Sequence, residues 1–201
     1  MNTGKPIILI IVVLLVFKSS IAQSFTHSAK YQISVWGMNI GEFTVDQKKA
    51  DEQLTIEAVT DVNVRMLFTY RVKYIQQTCY KNGILWSSDV ETLKNGKLNS
   101  STRLERQAEN YRLTKDGVET FIGGFITYSG SLLYFNEPKQ ISSIYNERNG
   151  ERNTIKNIAD NTYAIVDKKG NKTNIYEYQD GILLKAELIH SLATIHLKRI
   201  S

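Results

Sequence analysis

Cysteine is almost missing from this chain: Cys79 stands alone among 201 residues. A lone thiol closes no internal disulfide, so the fold rests on its hydrophobic core, which a chain of this length can bury. Cys79 itself reads as a small, partly buried strand residue. Proline is nearly as scarce, with Pro6 and Pro138 only. Each proline removes a donor from a β-ladder, so this scarcity suits long, continuously bonded strands. Histidine occurs three times, as His27, His190 and His196, with no cysteine or carboxylate cluster near by in the sequence. That excludes the usual zinc ligand sets, and no metal or other cofactor is expected. Charge of one sign is also lacking. The 25 basic and 20 acidic residues leave a net +5, part of it from Lys5 and Lys18 near the start. A surplus this small gives no case for a nucleic-acid partner. No Gly-x-Ser-x-Gly elbow, His-Glu-x-x-His pair or glycine-rich phosphate loop occurs, so no catalytic residue is assigned and a non-enzyme is expected.

What is present begins with the leader. Ile7 to Phe17 is an unbroken apolar run behind Lys5, and Ser20-Ile21-Ala22 sets small residues three and one positions before a cut at Ala22/Gln23. This is the pattern of a secretory signal peptide over residues 1–22, leaving residues 23–201 as one β-rich domain. The run is too short for a hydrocarbon core of about 30 Å, so no stable transmembrane anchor is expected after cleavage. The periplasm is the expected address, with release from the cell as the alternative.

Period-two alternation dominates the remainder. Tyr31, Ile33 and Val35 alternate with Gln32 and Ser34, and Leu54, Ile56 and Ala58 alternate with Thr55 and Glu57. Each such run reads as a strand with one buried face. Lys81-Asn82-Gly83, Lys94-Asn95-Gly96, Lys115-Asp116-Gly117, Lys169-Gly170-Asn171 and Gln179-Asp180-Gly181 supply hairpin turns, because Asn, Asp and Gly tolerate positive φ. Strands are expected near 30–36, 41–49, 53–61, 69–81, 84–94, 97–107, 109–115, 118–123, 152–158, 161–167, 172–179, 182–189 and 193–199. The phase of alternation changes near His190-Ser191, which places a turn or bulge there. The fold class is all-β: an antiparallel meander of about twelve strands, curled into an open or partly closed barrel because so many twisted strands cannot stay flat.

Residues 125–148 break the alternation. Gly130 and Pro138 punctuate them, and Leu132-Leu133-Tyr134-Phe135 is an apolar cluster without period. A short helix or loop is expected here, either covering the core or acting as a lid. Glu137 and Glu147 also fall in this stretch, but loop spacing fixes no distance between the two carboxylates. Tyrosine is abundant, at 11 residues. Tyr70, Val72, Tyr74, Thr78 and Tyr80 share one strand face, and Tyr176 and Tyr178 share another. Cross-strand packing explains such faces. They would also suit the wall of an amphipathic cavity, for which Tyr70, Tyr74, Leu133, Tyr134 and Phe135 are the candidate lining residues. Gly37 and Gly41 flank Met38-Asn39-Ile40, read as a turn whose flanks need unusual backbone angles, so Gly41→Val is expected to destabilise the fold. Pro138 is the third structural turn residue.

The segment Tyr31 to Val45, YQISVWGMNIGEFTV, with its aromatic strand and Gly-x-x-x-Gly turn, resembles the opening hairpin of uncharacterised exported families of Gram-negative bacteria. Leu133-Tyr134-Phe135-Asn136-Glu137-Pro138 and the hairpin from Tyr176 to Gly181 resemble the same domains of unknown function. Those families are in turn distantly similar to periplasmic lipoprotein carriers of the LolA type. The resemblance implies a curved, incompletely closed barrel whose concave face holds acyl chains under a lid. The expected function is therefore an exported, non-catalytic binding module for a lipid or other amphipathic ligand. The alternative is a structural or interaction component of the envelope that contacts another envelope protein.

Overall fold

The computed structural model describes residues 24–65, 69–170, 173–190 and 193–201, and the side chains of 64, 65, 69 and 70 fall outside that description. The expected signal peptide therefore lies outside the described residues. Among the described residues fourteen strands follow one another: β1 (Phe25–Val35), β2 (Met38–Ala50), β3 (Gln53–Arg65), β4 (Thr69–Lys81), β5 (Ile84–Lys94), β6 (Lys97–Gln107), β7 (Asn110–Lys115), β8 (Val118–Gly123), β9 (Ser143–Asn146), β10 (Glu151–Ala159), β11 (Thr162–Val166), β12 (Thr173–Gln179), β13 (Ile182–Ile189) and β14 (Thr194–Arg199).

All fourteen belong to one sheet, in the order β8-β7-β6-β5-β4-β3-β2-β1-β14-β13-β12-β11-β10-β9. Two features depart from a simple meander. The last strand pairs antiparallel with the first, Ile33 opposite Leu197. The edges β8 and β9 do not pair, so the barrel is left open along one seam. Residues 124–142 cross that seam. They hold one 3-10 turn, Gly130–Tyr134, and touch β9 through a parallel bridge from Ser129 to Tyr145. One expectation needs correction here. Residues 143–146, read as part of the loop, form the edge strand β9, with Ile144 and Tyr145 buried. Four residues are too few for alternation to show.

The turns are built as the asparagine, aspartate and glycine pattern requires. Asn82, Asn95, Asp116 and Asp180 take φ near +50°, each followed by a glycine at positive φ. The opening hairpin departs from the reading. β2 starts at Met38, so the turn is Trp36-Gly37 rather than Met38-Asn39-Ile40. Gly41 lies within the strand, beside a bulge in the β1–β2 ladder. A Cβ there would collide with the Asp61 carbonyl oxygen and sit 3.0 Å from the Val62 Cα. Close approach of β3, not turn geometry, is why glycine occupies that place. The expected change of phase at His190-Ser191 falls between β13 and β14, where Ser191 lies outside the described residues and the His190 amide donates to the Ala193 carbonyl at 3.3 Å.

The inward side chains form one core. Tyr31, Phe43, Val45, Ile56, Tyr80, Leu85, Leu104 and Tyr111 come from the first half of the chain. Ile155, Tyr163, Tyr176, Tyr178, Leu183 and Leu197 come from the second. Outward positions are polar. Along β4, Arg71, Lys73 and Gln77 are exposed while Gln76, Thr78 and Tyr80 face in.

Candidate functional site

The crossover does not lie over the barrel mouth. It runs inside. Ile126, Ser129, Ser131, Leu132, Leu133 and Pro138 are all buried. The segment is tied in at several levels. The Leu85 amide donates to the Ile126 carbonyl at 2.8 Å, and the Tyr145 amide donates to the Tyr128 carbonyl at 3.1 Å. The Glu137 amide donates to the Gly181 carbonyl at 3.2 Å. We call residues 124–142 the plug.

The plug is anchored on one carboxylate. Glu147, in the β9–β10 turn, is 4% exposed. Its carboxylate accepts the Gly130 amide at 2.9 Å, the Ser131 amide at 3.0 Å and the Ser129 hydroxyl. Tyr80 Oη lies 2.6 Å from Ser129 Oγ, which in turn lies 3.1 Å from Ser131 Oγ. Burial raises the Glu147 carboxyl above its ordinary range, and the bonds from Ser129 and Ser131 hold that rise in check. The same turn bridges the open seam at one end. Thr102 Oγ1 donates to the Arg148 carbonyl at 2.8 Å, and Lys115 Nζ donates to the Asn149 carbonyl at 3.3 Å. Nothing in the sequence marked Glu147 for this role, since a glutamate in a loop gives no sign of burial.

A second polar chain lines the inner wall. Tyr74 Oη donates to Gln76 Oε1 at 2.6 Å, Gln76 Nε2 donates to Thr78 Oγ1 at 3.0 Å, and Thr78 faces Ser88. The buried hydroxyls of Thr92, Tyr145 and Tyr178 have no hydrogen-bond partner among the described residues. Burial raises the Tyr178 hydroxyl far above its usual range and the Tyr176 hydroxyl to about 12.

The proposed lining residues have distinct surroundings. Tyr134 stacks at 4.9 Å from the Phe43 ring and 5.9 Å from Tyr31. Phe135 meets the His27 ring edge-on at 5.9 Å. Leu133 is buried in the core and Tyr74 is half-buried on the inner wall. Tyr70 is on β4, but its side chain is outside the described set. Tyr74, Leu133 and Tyr134 thus share the barrel interior, where the plug occupies the space a ligand would need. Two concavities are surface depressions, one of about 280 Å³ beside Gln179, Asp180 and Arg199, the other of about 340 Å³ beside Lys94, Lys97 and Leu98.

The two loop carboxylates serve different partners. Glu137 accepts from Tyr163 Oη at 2.8 Å and pairs with Lys139 at 3.2 Å, whereas Glu147 holds the plug. They do not converge on a common point as acid–base hydrolysis would require. Cys79 is half-buried, and burial raises its thiol. Sequence reasoning missed an outer cluster. Lys81 Nζ lies 4.1 Å from the Trp86 ring centroid, and Arg106 lies 5.7 Å from Trp86 and 4.9 Å from Phe125. Trp86 and Arg106 are far apart in sequence and meet only through strand register.

Comparison with known proteins extends the fold and leaves the chemistry open. The model of DUF6134, a domain of unknown function, matches residues 31–200. A solved structure of similar fold is the β-barrel-like protein of domain of unknown function DUF1849 from Brucella abortus. It is 11% identical, with 88% of this chain and 96% of that chain covered at a TM-score of 0.61. No curated protein matches the chain.

Proposed function

The chain belongs to the DUF6134 family, and from that premise we propose an exported, non-catalytic module of the cell envelope that works through its outer surface. The observation that carries this reading is the plug. Its middle, residues 126–138, enters the interior, with Leu132, Leu133 and Ser129 buried there and Glu147 bonded to three groups of the segment. A barrel filled by its own chain leaves its turns, edges and outer rings as the places for a partner. Export rests on the leader pattern of residues 1–22.

A second reading keeps the amphipathic ligand. The buried, unpartnered hydroxyls of Tyr145 and Tyr178 favour it, because such groups ordinarily find a partner. It is also the reading that the expected resemblance to LolA-type carriers would imply, with the plug as the lid. Native mass spectrometry of residues 23–201, purified gently from the envelope, separates the two. The surface reading expects a bare protein mass, together with a defined cross-linked neighbour when photoreactive groups are placed on the hairpin turns. A reproducible adduct of one lipid class, lost in Leu133→Ala, would overturn it in favour of the interior ligand.

A further inference from the structure

The strand order puts alternate turns at opposite ends of the barrel. At the end where the plug enters, the turns carry Asp51, Glu52, Glu109, Asp160 and Asp180 against Lys81. At the far end they carry Lys97, Lys115, Arg148, Lys168 and Lys169 against Asp116, Glu151 and Asp167. The far rim is made more positive by the plug anchor, since Glu147 is turned inward while its neighbour Arg148 is exposed. The same rim exposes large apolar side chains at three of its hairpins, Trp36 at 61%, Met38 at 49%, Leu98 at 60% and Val118 at 66%; the plug-entry end exposes its own, Phe121, Phe125 and Ile158 among them, so the two ends differ in charge and not in apolar exposure. Between two of its lysines, Lys94 and Lys97, lies the depression of about 340 Å³, whose wall includes Leu98.

Trp36 is the sharpest of these observations. It holds φ +49° at the first position of a two-residue turn. The corresponding places in other turns are Asp51, Asn82, Asn95, Asp116 and Asp180, with Ala108 in the β6–β7 turn. A bulky residue in the left-handed region is a steric outlier, whereas Asn and Asp visit it readily. Its ring is mostly in solvent, so packing does not repay that conformation. A strained, exposed tryptophan points from backbone to function.

We propose that this rim docks on an anionic lipid surface, with Trp36 and its apolar neighbours entering the headgroup boundary and the lysines meeting lipid phosphates. This rests on the surface-binding reading above. Tryptophan and lysine are the side chains suited to that boundary, the one by its amphipathic ring and the other by its charge on an apolar stem. The apolar groups sit at hairpin tips spaced around the barrel rather than on one continuous patch. Separate points suit a fluid bilayer better than the close-packed face of a protein. The outer wall, with exposed Lys73, Asp89, Glu91 and Arg103, stays in water, so the molecule would stand on its rim.

The test uses residues 23–201, which contain every described strand, and vesicles of one part phosphatidylglycerol to two parts phosphatidylcholine. Flotation measures binding. A Trp86→Phe variant leaves Trp36 as the reporter, and brominated acyl chains report its depth. The expected result is binding that fails on phosphatidylcholine alone and in about 1 M salt, where charge is screened within about 3 Å. Trp36 emission should shift to the blue and be quenched. Trp36→Asn should weaken binding at least tenfold with no fall in melting temperature. Unchanged vesicle binding by Trp36→Asn overturns the proposal, as does binding with Trp36 emission unmoved. No vesicle binding, with photo-cross-links from position 36 to one envelope protein, also overturns it but leaves the surface-binding reading standing. If position 36 and the other turns capture neither lipid nor protein, that reading falls as well.

Discussion

The plug and the far rim meet at one peptide bond, between Glu147 and Arg148, and they use the chain in opposite ways. On the plug side, Glu147 is buried and accepts from two amides and a hydroxyl, and Leu132 and Leu133 fill the core. On the rim side, Arg148 is exposed, and Trp36, Leu98 and Val118 hold their apolar groups in solvent. The first set is fixed by packing and hydrogen bonding. The second is not constrained from inside the fold. The lesson is that stability and recognition are carried by different side chains, so they should separate under mutation.

The largest effect belongs to the plug's packing. Leu133→Ala should lower unfolding free energy by about 2–5 kcal/mol, because a buried leucine leaves a cavity that its surroundings fill only in part. Equilibrium urea unfolding measures it. A loss below about 1 kcal/mol would mean that Leu133 lines a space able to collapse or admit a ligand, which breaks the comparison.

Next comes the anchor. Glu147→Ala strands the Gly130 and Ser131 amides in the interior, while the Ser129 hydroxyl keeps Tyr80 and Ser131 as partners, at a cost of about 3 kcal/mol. The carboxylate also gives the plug a pH signature. Its folded pKa is raised by burial, above the ordinary 4.5, so the folded state prefers the protonated form. Its contribution is full below the ordinary value and is lost as pH rises through the raised one. Glu147→Gln should therefore differ least from wild type at neutral pH in slope and most across the carboxylate range. The measurement is the difference between the two stability–pH curves. A difference that rises with pH instead of falling would show that the hydrogen bonds outweigh burial, and would reverse the sign argued here.

Legibility in the sequence followed the same division. Thirteen of the strands were readable because their faces alternate and their Asn-Gly and Asp-Gly turns announce themselves. β9 was not, since Ser143–Asn146 is too short to show a period. The break at 125–148 was visible, but neither the strand at its end nor the direction taken by residues 124–142 was. Leu132-Leu133-Tyr134-Phe135 says that the segment packs, and nothing in it says inside rather than across. Gly41 was rightly marked and wrongly explained, because its neighbour is the Asp61 backbone on another strand. Glu147 gave no signal, since burial of a carboxylate depends on donors that arrive from residues 129–131. Trp36 was seen as part of a motif, but its meaning needed the φ angle and the company of other hairpin tips.

The smallest effect is the most discriminating, because it trades residues between the two regions. Trp36→Asn gives a left-handed position a residue that accepts it, so stability should stay level or rise by up to about 1 kcal/mol. Asn82→Trp places the same strain on the plug-entry end, where Asn82 already has φ +51°, and should lower stability by about 1 kcal/mol. Thermal unfolding of the two single variants and the double swap reads both. If the strain is local, the two changes should add, because the turns lie at opposite ends of the barrel and share no partner. The swap then keeps one tryptophan in a left-handed turn but moves it from the basic rim to the acidic one. Vesicle binding should fall in the swap although the overall stability is close to wild type. Such a result would assign Trp36 to recognition by its place on the rim, and not by its contribution to the hairpin. A Trp36→Asn variant that melts well below wild type would instead make the ring a structural part of its own turn, and the separation between plug and rim would fail at its sharpest point.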